Sequence, residues 1–178
     1  MLSSQREGVD MKMINTTLYK CIFCYFVLST SIAANAAPCD SPAHRAFDFW
    51  LGEWEVKTPE GKIAGSNRIT REYKGCVLRE HYETAGGYNG ESFNTYDAGR
   101  KVWHQTWVDN ANTLLLLEGG IRDGKMVLEE GTTGKDAKIT SHRITWTPNE
   151  DGSVRQFWES TNAEGKWETA FDGRYTKK

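Results

Sequence analysis

Turn signals recur roughly every dozen residues from position 60 to the C-terminus, and they limit the fold more tightly than any other property of the chain. The signals are Glu60-Gly61-Lys62, Lys74-Gly75, Gly86-Gly87, Ala98-Gly99, Asp109-Asn110, Asp123-Gly124, Gly131 to Gly134, Asp151-Gly152 and Glu164-Gly165. Glycine adopts positive φ without steric cost, and Asp or Asn closes a turn through its own side chain. The segments between them are rich in aromatic and β-branched residues, the composition of strands. The expected strands cover residues 53–58, 62–73, 76–84, 90–97, 101–109, 113–121, 124–130, 138–147, 153–161 and 166–176. So many short strands must curl, either into a two-layer sandwich or into a closed barrel. The fold expected is all-β, a single antiparallel up-and-down barrel of about ten strands.

The first 36 residues stand apart from this pattern. Lys20 precedes the apolar run Cys21-Ile22-Phe23-Cys24-Tyr25-Phe26-Val27-Leu28, which fades through Ser29-Thr30-Ser31 and ends at Ala34-Asn35-Ala36. A basic region, a short apolar region and small residues at the cleavage positions describe a secretory signal peptide over residues 1–36, with Met11 or Met13 as alternative starts. The run is shorter than the roughly 20 residues that span a bilayer, which argues against an anchor. Lipid attachment at Cys39 is disfavoured because Ala36-Ala37-Pro38 lacks a bulky apolar residue. The expectation is export to the periplasm or release from the cell, leaving residues 37–178 as one domain without a membrane span.

Charge and cysteine usage narrow the partners. Without Arg6, Lys12, Lys20, Glu7 and Asp10, the formal charge becomes −3, with no basic footprint for nucleic acid. Cys21 and Cys24 leave with the signal peptide, so Cys39 and Cys76 remain as an even pair in an oxidising compartment. A disulfide between them is expected, worth roughly 4 kcal/mol by loop closure. The competing reading is two free thiols, one of them reactive. The remaining chain carries no Cys-x-x-Cys or His/Cys cluster for zinc or redox chemistry, and no metal or cofactor is expected.

Ahead of the strands, Asp40 or Ser41 can cap a short helix with Pro42 in its first turn, and Phe47, Trp50 and Leu51 follow at helical spacing. Residues 42–51 are expected as a helix or helical turn against one end of the barrel. In the last strand Trp167, Thr169, Phe171, Gly173 and Tyr175 share one face, whereas the sixth, Leu114 to Leu117, shows no alternation and reads as buried on both sides.

A barrel of this width has room for a cavity. One strand parity turns Leu78, Glu80 and Tyr82 inward, with Ser92, Asn94 and Tyr96, then Trp103, Gln105 and Trp107. Across the barrel the same choice gives Ser141, Arg143 and Thr145, then Val154, Gln156 and Trp158. The opposite parity, with Arg79, His81, Glu83, His104, Thr106, His142 and Trp146, reads as a solvated face. Aromatic faces beside a few convergent polar groups characterise small-molecule sites. The candidate ligand-binding residues are therefore Glu80, Asn94, Tyr96, Gln105, Trp107, Arg143 and Gln156, with the Arg143 guanidinium as anchor for a carboxylate or similar acceptor. The structural alternative pairs Glu80 with Arg143 and Gln105 with Gln156.

The run Phe47-Asp48-Phe49-Trp50-Leu51-Gly52-Glu53-Trp54-Glu55-Val56 resembles the opening signature of an uncharacterised family of secreted bacterial proteins. The likeness continues through Gly75-Cys76, Tyr96-Asp97, Trp103-His104-Gln105-Thr106-Trp107-Val108-Asp109, Arg143-Ile144-Thr145-Trp146 and Phe171-Asp172-Gly173-Arg174-Tyr175. It implies a lipocalin-like barrel of the calycin type and no established activity. Gly52-x-Trp54 also resembles the lipocalin Gly-x-Trp, whose tryptophan packs across the barrel floor. Nitrobindin-like haem barrels open with a similar motif, but Glu55 and Val56 replace the glycines that follow there, and no histidine lies beyond His142 to serve as a late axial ligand.

Catalysis finds little footing. There is no Gly-x-Ser-x-Gly nucleophile motif, and His44, His81, His104 and His142 have no metal spacing. The expected role is an exported barrel that carries or senses a small, partly apolar molecule. The alternatives are an interaction module with a filled barrel and a haem-binding barrel.

Overall fold

The computed structural model describes residues 38–130 and 141–178. The signal-peptide reading of residues 1–36, the turn expected at 131–134 and the first positions of the strand expected at 138–147 lie outside these residues. Ten strands follow one another: β1 (Gly52–Lys57), β2 (Ile63–Glu72), β3 (Val77–Glu83), β4 (Asn89–Asp97), β5 (Val102–Asp109), β6 (Leu114–Arg122), β7 (Lys125–Glu130), β8 (His142–Pro148), β9 (Val154–Thr161) and β10 (Trp167–Lys177). Every strand pairs antiparallel with its neighbours in sequence. The register Trp54↔Lys177 to Lys57↔Arg174 joins β1 to β10 and closes the barrel. Closure leaves no unpaired edge, which a ten-stranded sheet of this length would otherwise have to protect.

The segment before β1 contains the α-helix α1 (Pro42–Arg45) and a single 3-10 turn at Asp48–Trp50. Pro42 sits in the first helical turn, but Ser41 makes no capping bond to the backbone; its hydroxyl pairs with His44 Nδ1 at 2.7 Å. Phe47 and Trp50 are fully buried. Their rings stack at 4.9 Å, and Phe47 meets Trp103 and Trp146 edge-on at 5.7 and 5.2 Å. Trp54 of Gly52-x-Trp54 is equally buried, and its indole donates to the Trp50 carbonyl at 2.9 Å. With Tyr175 and Leu128, these rings fill one half of the interior.

Cys39 and Cys76 lie at disulfide distance, with sulfurs 2.10 Å and Cα atoms 5.0 Å apart. The pair ties the chain ahead of α1 to the position just before β3. Arg45 reinforces this corner, donating to the Cys39 carbonyl at 2.7 Å and pairing with Asp40 at 3.1 Å.

Three expectations about which way side chains point are corrected. In β6 the leucines alternate, with Leu115 and Leu117 buried and Leu114 and Leu116 exposed, because only one face of a closed barrel has a core. In β10 the register shifts between Thr169 and Phe171, so one residue of the bulge reverses the parity. Phe171, Gly173 and Tyr175 stay on the inner face, while Trp167 falls on the outer face and is exposed. In β8 the buried residues are Ile144 and Trp146, not Arg143 and Thr145.

Candidate functional site

The half of the barrel away from the Phe47–Trp50 cluster holds a cavity of about 340 Å³. Its aromatic walls are Tyr82, Tyr88, Trp107, Trp158 and Phe171, and Leu115, Ile144, Ala64 and Ala170 add aliphatic surface. Glu80, Gln105, Gln156 and the Tyr175 hydroxyl supply its polar groups. The volume lies at the small end of the range for small-molecule sites, and the balance of apolar wall to convergent polar groups is typical of them.

Glycines make room for the aromatic walls. A Cβ on Gly90 would come within 2.4 Å of the Trp107 ring, and one on Gly65 within 2.8 Å of the Tyr82 hydroxyl. Tyr82 donates to the Ala64 carbonyl at 3.1 Å, which holds its ring across the strand pair. Trp107 is fixed at its other edge, where the indole donates to Asp109 at 3.1 Å. Asp109 also accepts from the Tyr88 hydroxyl at 2.7 Å and from the amides of Ala111 and Thr113, both at 2.9 Å. Burial pushes this carboxyl up, but the bonds from Thr113, Tyr88 and Trp107 outweigh it and hold it at about 2. Asp109 thereby orients two cavity rings as a permanently ionised acceptor.

Between the filled half and the cavity runs a belt of polar side chains. Gln105 donates to Asn94 Oδ1 at 2.8 Å, Asn94 donates to Ser92 Oγ at 2.8 Å, and Ser92 donates to Glu80 Oε2 at 2.7 Å. From the other side Asn67 donates to Glu80 Oε1 at 2.7 Å. Tyr175 donates to Gln156 Oε1 and lies 3.5 Å from the Asn67 amide nitrogen. Glu80 is 3% exposed, and all its partners here are neutral. Burial raises its carboxyl to about 7, with the Ser92 and Asn67 bonds pulling the other way. Burial, assisted by the nearby Glu80, also raises the phenols of Tyr175 and Tyr82.

The seven residues singled out from the sequence divide into four groups. Glu80, Gln105, Trp107 and Gln156 line the cavity. Asn94 is buried one step behind, as a link in the belt. Tyr96 lies at the filled end, edge-on to His44 at 5.0 Å and 6.1 Å from Trp103. Arg143 is on the outer face: it pairs with Glu159 at 2.9 Å and its guanidinium lies 4.5 Å from the Trp167 ring centre. The Arg143 anchor is therefore corrected. Pairing of Ile144 with Leu128 and Trp158 sets the parity of β8, and a one-residue change of parity turns every side chain over. The alternative pairings, Glu80 with Arg143 and Gln105 with Gln156, are not formed; Glu80 and Gln105 bond within the belt instead.

The site also uses residues not singled out. Ser92, Tyr82 and Trp158 share the inward parity of their strands, so alternation alone points to them. Asn67 is signalled by its place between Gly65 and Ile69 on β2, all three buried. Tyr88 and Ala170 carry no such signal, one preceding β4 and the other sitting in the β10 bulge. His142 is not in the lining; its Nδ1 accepts from the Trp158 indole at 3.1 Å. Among the described residues no three His, Cys, Asp or Glu side chains converge as a metal site, and no helix is long and apolar enough to cross a membrane. No family model matches the chain, and no curated protein matches it.

Proposed function

We propose that this chain is an exported barrel of the lipocalin-like, calycin type that binds a small, partly apolar molecule inside, as a carrier or a sensor. The observation that carries this reading is the cavity of about 340 Å³, aromatic at its walls and polar at its floor. Such a cavity is costly to leave in a small domain, since each unfilled methyl-sized space forfeits about 1 kcal/mol of packing. The ring cluster at the other end supports a division of labour. In this reading the helical segment around α1 seals that end with Phe47 and Trp50, and ligands enter from the other. The Cys39–Cys76 pair supports export, because disulfides persist in oxidising compartments.

Native mass spectrometry of the protein exported by its own host tests the reading directly. The expected result is a fraction carrying added mass of a small organic molecule, lost when Leu115→Trp fills the cavity. Bare protein whose thermal stability is unmoved by any member of a broad small-molecule library would overturn it.

A second reading has its own observation. Phe93, Val108, Leu114 and Leu116 are exposed on the outer face of β4, β5 and β6, where Val108 pairs directly with Leu114. Large apolar side chains exposed together on neighbouring strands mark interaction surfaces, and they favour an interaction module.

A further inference from the structure

We propose that the cavity selects molecules bearing a protonated amine or amidine on an apolar or aromatic body, with the charged group seated on Glu80. The proposal rests on the reading of the cavity as a binding site and names the class of ligand that fits it.

Among the described residues, Glu80 is the only carboxylic acid or base of the lining; the rest are aromatic, aliphatic or amide side chains. Each of its oxygens accepts one bond from a neutral donor, Asn67 Nδ2 or Ser92 Oγ, at 2.7 Å. A carboxylate oxygen has two acceptor sites, so capacity remains for a donor arriving from the cavity. A buried carboxylate without a cation is costly, and removing that cost is free energy available to a cationic ligand and to no other. The ring faces of Tyr82, Tyr88, Trp107 and Trp158 act in the same direction, since an aromatic face attracts a cation. An anionic ligand meets the opposite situation. Arg143, the side chain suited to receive it, points to the exterior and is paired with Glu159.

A pH dependence follows from the surroundings of Glu80. Burial holds its carboxyl at about 7, so a bound cation draws it fully into the ionised form. The groups facing it do not titrate in that range. Asn67 on β2 and Ser92 on β4 are neutral, and the phenols of Tyr82 on β3 and Tyr175 on β10 are raised by burial. Further out, burial raises the Tyr88 phenol, Asp109 is held at about 2, and burial lowers His142 behind Trp158. Amine affinity should therefore rise roughly tenfold between about pH 6 and about pH 8, with a neutral ligand unaffected.

Isothermal titration of the exported, oxidised protein with phenethylamine, phenethyl alcohol and phenylacetate tests this. The expected order at about pH 8 is amine at least tenfold tighter than alcohol, with phenylacetate weakest, and Glu80→Gln should abolish the amine's advantage over the alcohol. Should Glu80→Gln fail to fold, the wild-type pH profile of amine against alcohol decides the matter. Equal binding of amine and alcohol, a flat amine profile, or an amine advantage that survives Glu80→Gln would overturn the proposal while leaving the cavity as a binding site. If none of the three binds and the protein from its host carries no added mass, the reading of the cavity falls and this proposal falls with it.

Discussion

Asn67 and Glu80 meet 2.7 Å apart inside the barrel, an amide nitrogen donating to a carboxylate that has only neutral partners. The contact joins β2 to β3, yet the two residues are not directly opposite; Asn67 faces Tyr82 across the ladder and Glu80 faces Ile69.

Glu80 makes stability depend on pH in an unusual direction for a carboxylate. Its carboxyl moves from 4.5 up to about 7 on folding, so the folded state binds the extra proton between those values. Stability linked to that proton is fully present below about pH 4.5 and is lost as pH rises through about 7. The loss amounts to about 3 kcal/mol. Urea denaturation should show Glu80→Gln gaining most of that amount on the wild type between about pH 5 and about pH 8; parallel pH profiles would refute it.

The Cys39–Cys76 pair should contribute about 2–4 kcal/mol. Cys39→Ser combined with Cys76→Ser should lower the denaturation midpoint accordingly. Thiol labelling of denatured, unreduced exported protein should find neither cysteine free, and two labelled thiols would contradict the pairing.

Gly90→Ala places a methyl 2.4 Å from the Trp107 ring. Trp107 must then tilt into the cavity or break its bond to Asp109, at a cost of about 1–3 kcal/mol. The expected readout is reduced stability together with changed tryptophan emission. Unchanged emission would mean that the ring does not lie over Gly90.

Arg143→Ala and Arg155→Ala should behave alike. Both arginines are on the outside, paired with Glu159 and Asp172, each over an aromatic ring. Each substitution should cost at most about 1 kcal/mol and leave the mass of any retained ligand unchanged. A selective loss of ligand from Arg143→Ala would restore that residue to the site.

Much of the candidate site was legible before any tertiary information. Glu80, Gln105 and Gln156 stand two residues from Leu78 and Tyr82, Trp103 and Trp107, and Val154 and Trp158, and a half-buried strand must put such sets on one face. Asn94 was legible as interior but not as a second layer, because depth behind a wall depends on which residues of neighbouring strands stand in front. Arg143 was misplaced for a different reason. One alternation of β8, Arg143, Thr145 and Thr147, is wholly polar, and the apolar pair on the other, Ile144 with Trp146, was the signal that decided it.

The sequence alone determined where the chain turns and therefore the ten strands and their antiparallel order, since turn chemistry is local and adjacent strands joined by short turns can pair only one way. It also determined the even cysteine pair. Only the tertiary structure decided which face of β6, β8 and β10 looks inward, that one residue of bulge sends Trp167 outside and Phe171 inside, and that Glu80 finds Asn67 and Ser92 instead of an arginine. Side-chain direction in a strand has a period of two, so a single position reverses it, and that position is chosen by pairing across the whole closed sheet. The cavity is a product of that closure, a property of residues from seven strands that no stretch of the chain carries by itself.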